Sequence, residues 1–170
     1  MKPLLSALVG LAILGIMPFA AEAQVSPLAS SLNTCPPSVD YDSCSTTDTV
    51  PESTTLPAST ATTLVSVSVQ CNTAVASCVI QCTLSASLAN STSSTSDVTV
   101  HLYDSNSTVD YYIYSAIPAG GFAMFPLAGS WKEDSSSAVT IYAQATPSVK
   151  VHTVGGGPAG GLVCVASPAS

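Results

Sequence analysis

Two neighbouring runs decide the fold: LVSVSVQC at positions 64–71 and SCVIQCTLSASLA at positions 77–89. In both runs, apolar or cysteine residues alternate with serine, threonine and glutamine, so one face of each run is apolar and the other is polar. A period of two is the pattern of a β-strand that is buried on one side only. The short connection between the runs predicts that they form an antiparallel hairpin.

The same alternation continues through the rest of the chain, with turn-forming residues between its rows. Alternating rows lie at positions 97–103, 109–113, 139–143 and 149–151, and short apolar runs lie at 122–127 and 162–165. No segment has a convincing helical period. About eight short strands separated by turns are typical of a β-sandwich or barrel.

We therefore predict an all-β domain over residues 63–170, an antiparallel jelly-roll-like β-sandwich that follows a disordered N-terminal spacer. An immunoglobulin-like sandwich is the alternative. It is less favoured because Trp131 follows Gly129-Ser130, which we interpret as a turn, whereas the immunoglobulin tryptophan lies inside a strand.

The N-terminal segment predicts export from the cytoplasm. Met1-Lys2 precedes an almost wholly apolar stretch at positions 4–20, and Ala21-Glu22-Ala23 places small residues before a cut at Gln24. This is the pattern of a secretory signal peptide over residues 1–23. Residues 24–62 are rich in Ser, Thr and Pro without periodicity, so we interpret them as a spacer. We expect a secreted, extracellular protein (periplasmic or at the cell surface if bacterial) with no membrane span after signal removal.

Charge excludes one large class of partner. The chain has three Lys+Arg against ten Asp+Glu, a net charge of −7, and residues 24–131 contain neither Lys nor Arg. Phosphate backbones need clustered cations, so we expect no nucleic-acid partner.

The six cysteines of an exported chain predict a disulfide framework rather than a metal site. Cys78 and Cys82 would lie about 13 Å apart on one strand, too far to bond to each other. We expect Cys71–Cys78 across the hairpin, Cys35–Cys44 within the spacer, and therefore Cys82–Cys164. The chief rival pairing is Cys71–Cys164.

Catalytic patterns are missing from the sequence, and we expect neither an enzyme nor a cofactor. There is no Gly-x-Ser-x-Gly nucleophile motif. His101 and His152 alternate with apolar neighbours and so face solvent. The acidic residues lie in or beside predicted turns, where Asp is favoured for its local hydrogen bonds.

One turn offers a weaker candidate for a metal and for a glycan. Oxygen-bearing side chains alternate at Asp104, Asn106, Thr108 and Asp110, as in calcium loops, but the Gly and Glu of the calcium-hand pattern are missing. We favour a plain hairpin turn and expect no metal. Asn106 also begins a glycosylation sequon, as does Asn90.

Exposed aromatic residues are the best candidate binding groups. Alternation turns Tyr111 inward and Tyr112 and Tyr114 outward, about 7 Å apart along their strand. Together with Trp131 they could stack on sugar rings or fill a subunit interface. We expect a non-enzymatic binding or assembly protein of a surface, matrix, coat or fibre, which either associates with further copies of itself or binds a carbohydrate. The alternative is a carbohydrate-binding module or small glycosidase.

Overall fold

A computed structural model describes residues 44–71, 74–106, 110–134, 138–154 and 159–169. These residues form strands and turns, with no helix among them that could cross a bilayer. The strands are β1 (Cys44–Thr49), β2 (Thr55–Leu56), β3 (Thr62–Gln70), β4 (Ser77–Ala89), β5 (Ser96–Asp104), β6 (Asp110–Ile117), β7 (Phe122–Asp134), β8 (Ala138–Pro147), β9 (Val151–Thr153) and β10 (Gly160–Pro168). The predicted signal peptide at 1–23 lies outside the described residues.

The strands form two antiparallel sheets that pack as a β-sandwich. The six-stranded sheet has the order β1-β10-β4-β9-β2, with β7 on the other side of β4; the four-stranded sheet has the order β3-β8-β5-β6. β4 pairs with β7 and β5 pairs with β8, although the strands of each pair are not consecutive in the chain. Long connections between neighbouring strands also occur in Greek-key sandwiches. The predicted all-β sandwich is confirmed, while its jelly-roll strand order stays a prediction.

The core lies between the sheets and follows the alternation of the sequence. On β4, the inward residues at every second position from Cys78 to Leu88 are 0–2% exposed. Val98, Val100 and Leu102 of β5 face them from the other sheet and are 0% exposed. Burial of these apolar side chains, worth about 1.5–3 kcal/mol each, is what holds the two sheets together.

The sandwich begins earlier than the sequence predicted. Strands β1 and β2 lie inside the region interpreted as a spacer over 24–62, and Val50 and Leu56 are buried in the core at 1% and 0% exposure. β1 pairs with β10 along its whole length. Its sequence, CSTTDT, has no apolar alternation. The order of β1 therefore comes from backbone pairing rather than from an apolar face. Residues 44–62 therefore belong to the sandwich rather than to a spacer, and the predicted domain start at residue 63 is wrong.

The two disulfides among the described residues join the predicted partners, one of them for a different reason. Cys82 and Cys164 are directly opposed on β4 and β10, with Cα atoms 4.1 Å apart. Cys71 and Cys78 have Cα atoms 5.7 Å apart, but β3 and β4 belong to different sheets. The predicted hairpin is therefore wrong, and this disulfide ties the four-stranded sheet to the six-stranded one. Cys35 lies outside the described residues, so Cys35–Cys44 stays a prediction.

Candidate functional site

The outer surface of the four-stranded sheet carries a group of aromatic side chains, which we call the tyrosine face: Tyr103, Tyr112, Tyr114, Tyr142 and His101. Tyr112 and Tyr114 stand outward on the edge strand β6 and are 67% and 61% exposed. None of the four strands of this sheet contains Lys or Arg. The face therefore presents aromatic rings and hydrogen-bonding groups without a cationic side chain from its own strands.

Strand register brings the rings of the tyrosine face together in pairs. His101 is opposite Tyr112, and their ring centroids lie 5.9 Å apart. Tyr103 is opposite Tyr142 on β8, and these rings stack at 5.4 Å with an interplanar angle of 22°. Burial, and further the charges of Tyr142 and Asp110, raise the pKa of Tyr103 above its ordinary value.

Two carboxylates border the tyrosine face and orient its side chains. The Nδ1–H of His101 donates to Asp110 Oδ2 at 2.7 Å, which fixes the imidazole plane. At the other end, Asp97 accepts a hydrogen bond from Tyr114, which raises the pKa of Tyr114 because the bond stabilises the neutral phenol. Both carboxylates keep further acceptor positions open to a ligand hydroxyl, since an ionised carboxylate has about four.

A shallow hollow of about 300 Å³ opens beside Tyr114. Asp97, Thr99, Thr146 and Ser148 line it together with Ser59. Thr99 is directly opposite both Tyr114 on β6 and Thr146 on β8, so three neighbouring strands contribute to one site. The hollow combines an exposed ring with hydroxyl and carboxylate groups.

Trp131 does not join this face, which corrects the predicted platform of Tyr112, Tyr114 and Trp131. It is 3% exposed, inside the sandwich, and its ring meets that of Tyr111 edge-on at 5.2 Å. Gly129-Ser130 is not a turn but part of β7. A Cβ at Gly129 would lie 2.6 Å from the Trp131 ring and 2.7 Å from the Tyr111 ring, so glycine makes room for both rings.

The weak calcium candidate is not brought together by the structure. Asp104 is 2% exposed on the inner side of β5 and accepts the N–H of Asn106, as in an Asx turn. Asp110 is exposed on the outer side of β6, paired with His101. Thr108 lies outside the described residues. Among those that are described, no three His, Cys, Asp or Glu side chains are placed to hold a metal ion.

Carboxylates do gather at one end of the core, away from the tyrosine face. Glu133 on β7 has a raised pKa, chiefly through burial and further through the charges of Asp104 and Asp134. Asp104 and Glu133 point inward on their strands, whereas the tyrosines point outward. These acids therefore do not border the surface on which a sugar could stack.

The two sequons differ sharply in their surroundings. Asn90 is 1% exposed, and its Nδ2 donates to the carbonyls of Ser94 at 2.7 Å and Ile117 at 3.0 Å. The nitrogen that a glycan would need is thus used to close the loop between β4 and β5. Asn106 is exposed beside the β5 end of the tyrosine face.

The opposite surface of the sandwich holds a smaller apolar group. Phe122 and Met124 point outward from β7 on the six-stranded sheet and are 72% and 62% exposed. Among the strands that the structure describes, β7 pairs with β4 alone, so it is an edge strand. An exposed apolar edge strand is a place where a second chain could add.

No protein-family model matches the sequence, and no curated protein is significantly similar to it. The site residues therefore rest on geometry alone. Alternation predicted Tyr112 and Tyr114, but it missed His101, Tyr103 and Tyr142 as their neighbours. Sequence shows that each of the three points outward, whereas only strand register shows that they are adjacent.

Proposed function

We propose that this protein is an extracellular, non-enzymatic carbohydrate-binding protein and that the tyrosine face is its binding surface. The observation that carries the proposal is the exposure of Tyr112 and Tyr114, 67% and 61%, on a sheet face that also carries aromatic and hydrogen-bonding side chains. Two disulfides in a small β-sandwich fit an extracellular protein.

The chemistry of the face suits a neutral sugar. A pyranose ring presents C–H groups on its flat side and hydroxyl groups around its rim. Aromatic rings bury the flat side, and Asp97, Asp110 and the threonines nearby accept or donate hydrogen bonds at the rim. The protein's net charge of −7 and the absence of Lys and Arg from these strands oppose an anionic ligand.

Binding without turnover is supported by the positions of the acids. A glycosidase needs two carboxyl groups on either side of the scissile bond, one of them kept protonated. The carboxyl group with a raised pKa, Glu133, points into the sandwich rather than towards the tyrosines. The imidazole of His101 is engaged with Asp110 on an open surface that does not exclude water.

Assembly is the second candidate, and Phe122 and Met124 favour it. These side chains lie on an edge strand of the opposite sheet, where pairing of two copies would extend the sheet. Sugar binding and assembly thus depend on different surfaces, and one set of variants separates them.

The test measures retention of the mature protein on insoluble neutral polysaccharides and on a glycan array, alongside its mass in solution. Changing Tyr112 and Tyr114 to Ala should lower sugar affinity about tenfold by removing two aromatic contacts. The matched control, Phe122→Ala with Met124→Ala, should leave sugar affinity unchanged. Sugar binding through the tyrosine face is refuted if the wild-type protein binds no saccharide, or if both pairs of substitutions lower sugar affinity equally. A self-associating wild type that the Phe122 and Met124 changes make monomeric supports assembly.

A further inference from the structure

The hollow beside Tyr114 has the features of a single sugar subsite. We propose that it binds one neutral sugar ring at the end of a saccharide chain, with Asp97 as the hydroxyl acceptor and Tyr114 as the stacking ring. The inference rests on the proposed function and goes further by naming the subsite and the charge of its ligand. The volume of the hollow, about 300 Å³, is at the small end of the range for ligand sites.

Backbone hydrogen bonds hold the walls of the hollow in place before any ligand arrives. The N–H of Asp97 donates to Ser148 Oγ at 2.9 Å, and the N–H of Ser148 donates to the Asp97 carbonyl at 2.7 Å. Ser59 is fixed by its N–H, which donates to the Pro147 carbonyl at 2.7 Å. Because these loops are already tied to each other, binding requires little further ordering of the protein.

The side chains of the hollow match the two sides of a sugar ring. Tyr114 offers its exposed ring, and its hydroxyl lies near enough to Asp97 for that carboxylate to raise the pKa of Tyr114. The Asp97 carboxylate can also accept ligand hydroxyls, since one bond to Tyr114 uses only part of its capacity. Thr99 and Thr146 lie opposite each other and add two hydroxyl groups.

The position of the hollow indicates which part of a chain it takes. It lies where β5 begins and β8 ends, and Ser59 and Ser148 close it on the loop side. Along β6 in the other direction stand Tyr112 and its neighbour His101. A terminal ring in the hollow would therefore let the next rings pass over these side chains. Asp97 is the charged side chain that lines the hollow, so an anionic sugar would be repelled.

The test is titration calorimetry of the mature protein with methyl glycosides of neutral hexoses and with their tetrasaccharides. Asp97→Asn removes the charge and preserves the shape; it should weaken binding of both ligands about tenfold, as expected for one charge-assisted hydrogen bond. The matched control is Asp134→Asn, at an exposed position at the end of β7 in the other sheet, which should leave methyl glycoside binding within about twofold. Circular dichroism checks that both variants are folded.

Each outcome bears on the subsite or on the function beneath it. One combined result refutes the subsite: tetrasaccharides bind the wild type, Tyr112→Ala weakens that binding, and Asp97→Asn leaves it unchanged. The proposed function then stands. The subsite is also refuted if uronic acid oligosaccharides bind more tightly than neutral ones. If no saccharide binds the wild type, the proposed function fails and the subsite with it.

Discussion

The two disulfides should differ in their contribution to stability because they close loops of very different length. Cys82–Cys164 spans 82 residues and Cys71–Cys78 spans 7. The chain-entropy model assigns about 4.5 kcal/mol to the longer closure and about 2.4 kcal/mol to the shorter one. The loops do not overlap, so each contributes separately. Replacing Cys82 and Cys164 by Ala should therefore cost about 2 kcal/mol more than replacing Cys71 and Cys78.

This comparison is unusually well matched. All four cysteines are buried, with exposures between 0% and 2%, so both double replacements leave similar core vacancies. The assay is urea unfolding at equilibrium, followed by tryptophan fluorescence and circular dichroism, with thiol quantification to show that the remaining disulfides are intact. If the two variants lose the same free energy of unfolding within about 0.5 kcal/mol, or if the Cys71 and Cys78 variant loses more, loop length does not set the stabilisation.

Three further predictions concern single side chains. Gly129→Ala should cost about 1–3 kcal/mol of unfolding free energy in urea, because its methyl group would overlap two aromatic rings, and a neutral effect would contradict that packing. Asn90→Ala should cost about 1–3 kcal/mol of unfolding free energy in unglycosylated protein, since it removes the Nδ2 donor to the buried Ile117 carbonyl and the Oδ1 acceptor of the Thr92 N–H, whereas Asn106→Ala should change little; mass spectrometry of protein from a glycosylating host should find a glycan on Asn106 and none on Asn90. Glu133→Gln should raise the thermal midpoint at neutral pH and not below about pH 4: the raised pKa of Glu133 means that its stabilisation is present below the ordinary value of 4.5 and is lost as the pH rises through the folded-state pKa. A gap that widens towards acid pH would reverse the assigned sign.

The alternation of the sequence predicted the β-sandwich because burial of one strand face dominates the energetics of such sheets. β4 begins at Ser77 and ends at Ala89, as its alternating run predicted. β1 escaped prediction because its residues are polar throughout and its order comes from pairing with β10, more than a hundred residues away in the chain. Such a partner leaves no local signal.

Sheet membership was also out of reach of local patterns. The connection between β3 and β4 is short enough for a hairpin, yet the chain uses it to cross from one sheet to the other. The Cys71–Cys78 pairing was nevertheless predicted, because two cysteines at the ends of a short connection are close whichever sheets the strands join. The neighbours of Tyr112 on the tyrosine face likewise depend on strand register, which the local sequence pattern does not reveal.

The inward and outward residues of β6 act together in building the candidate site. Within the described part of the chain, β6 is an edge strand that pairs with β5 alone, so its position needs another anchor. Tyr111 provides one: its hydroxyl donates to the Ser130 carbonyl of the other sheet at 2.7 Å, and its ring packs on Trp131 in the room left by Gly129. Since side chains alternate along a strand, fixing Tyr111 inward also fixes its neighbour Tyr112 outward. The aromatic cluster within the sandwich thus holds in place the strand that carries the exposed rings, which is why loss of Trp131 packing should weaken sugar binding although Trp131 lies outside the tyrosine face.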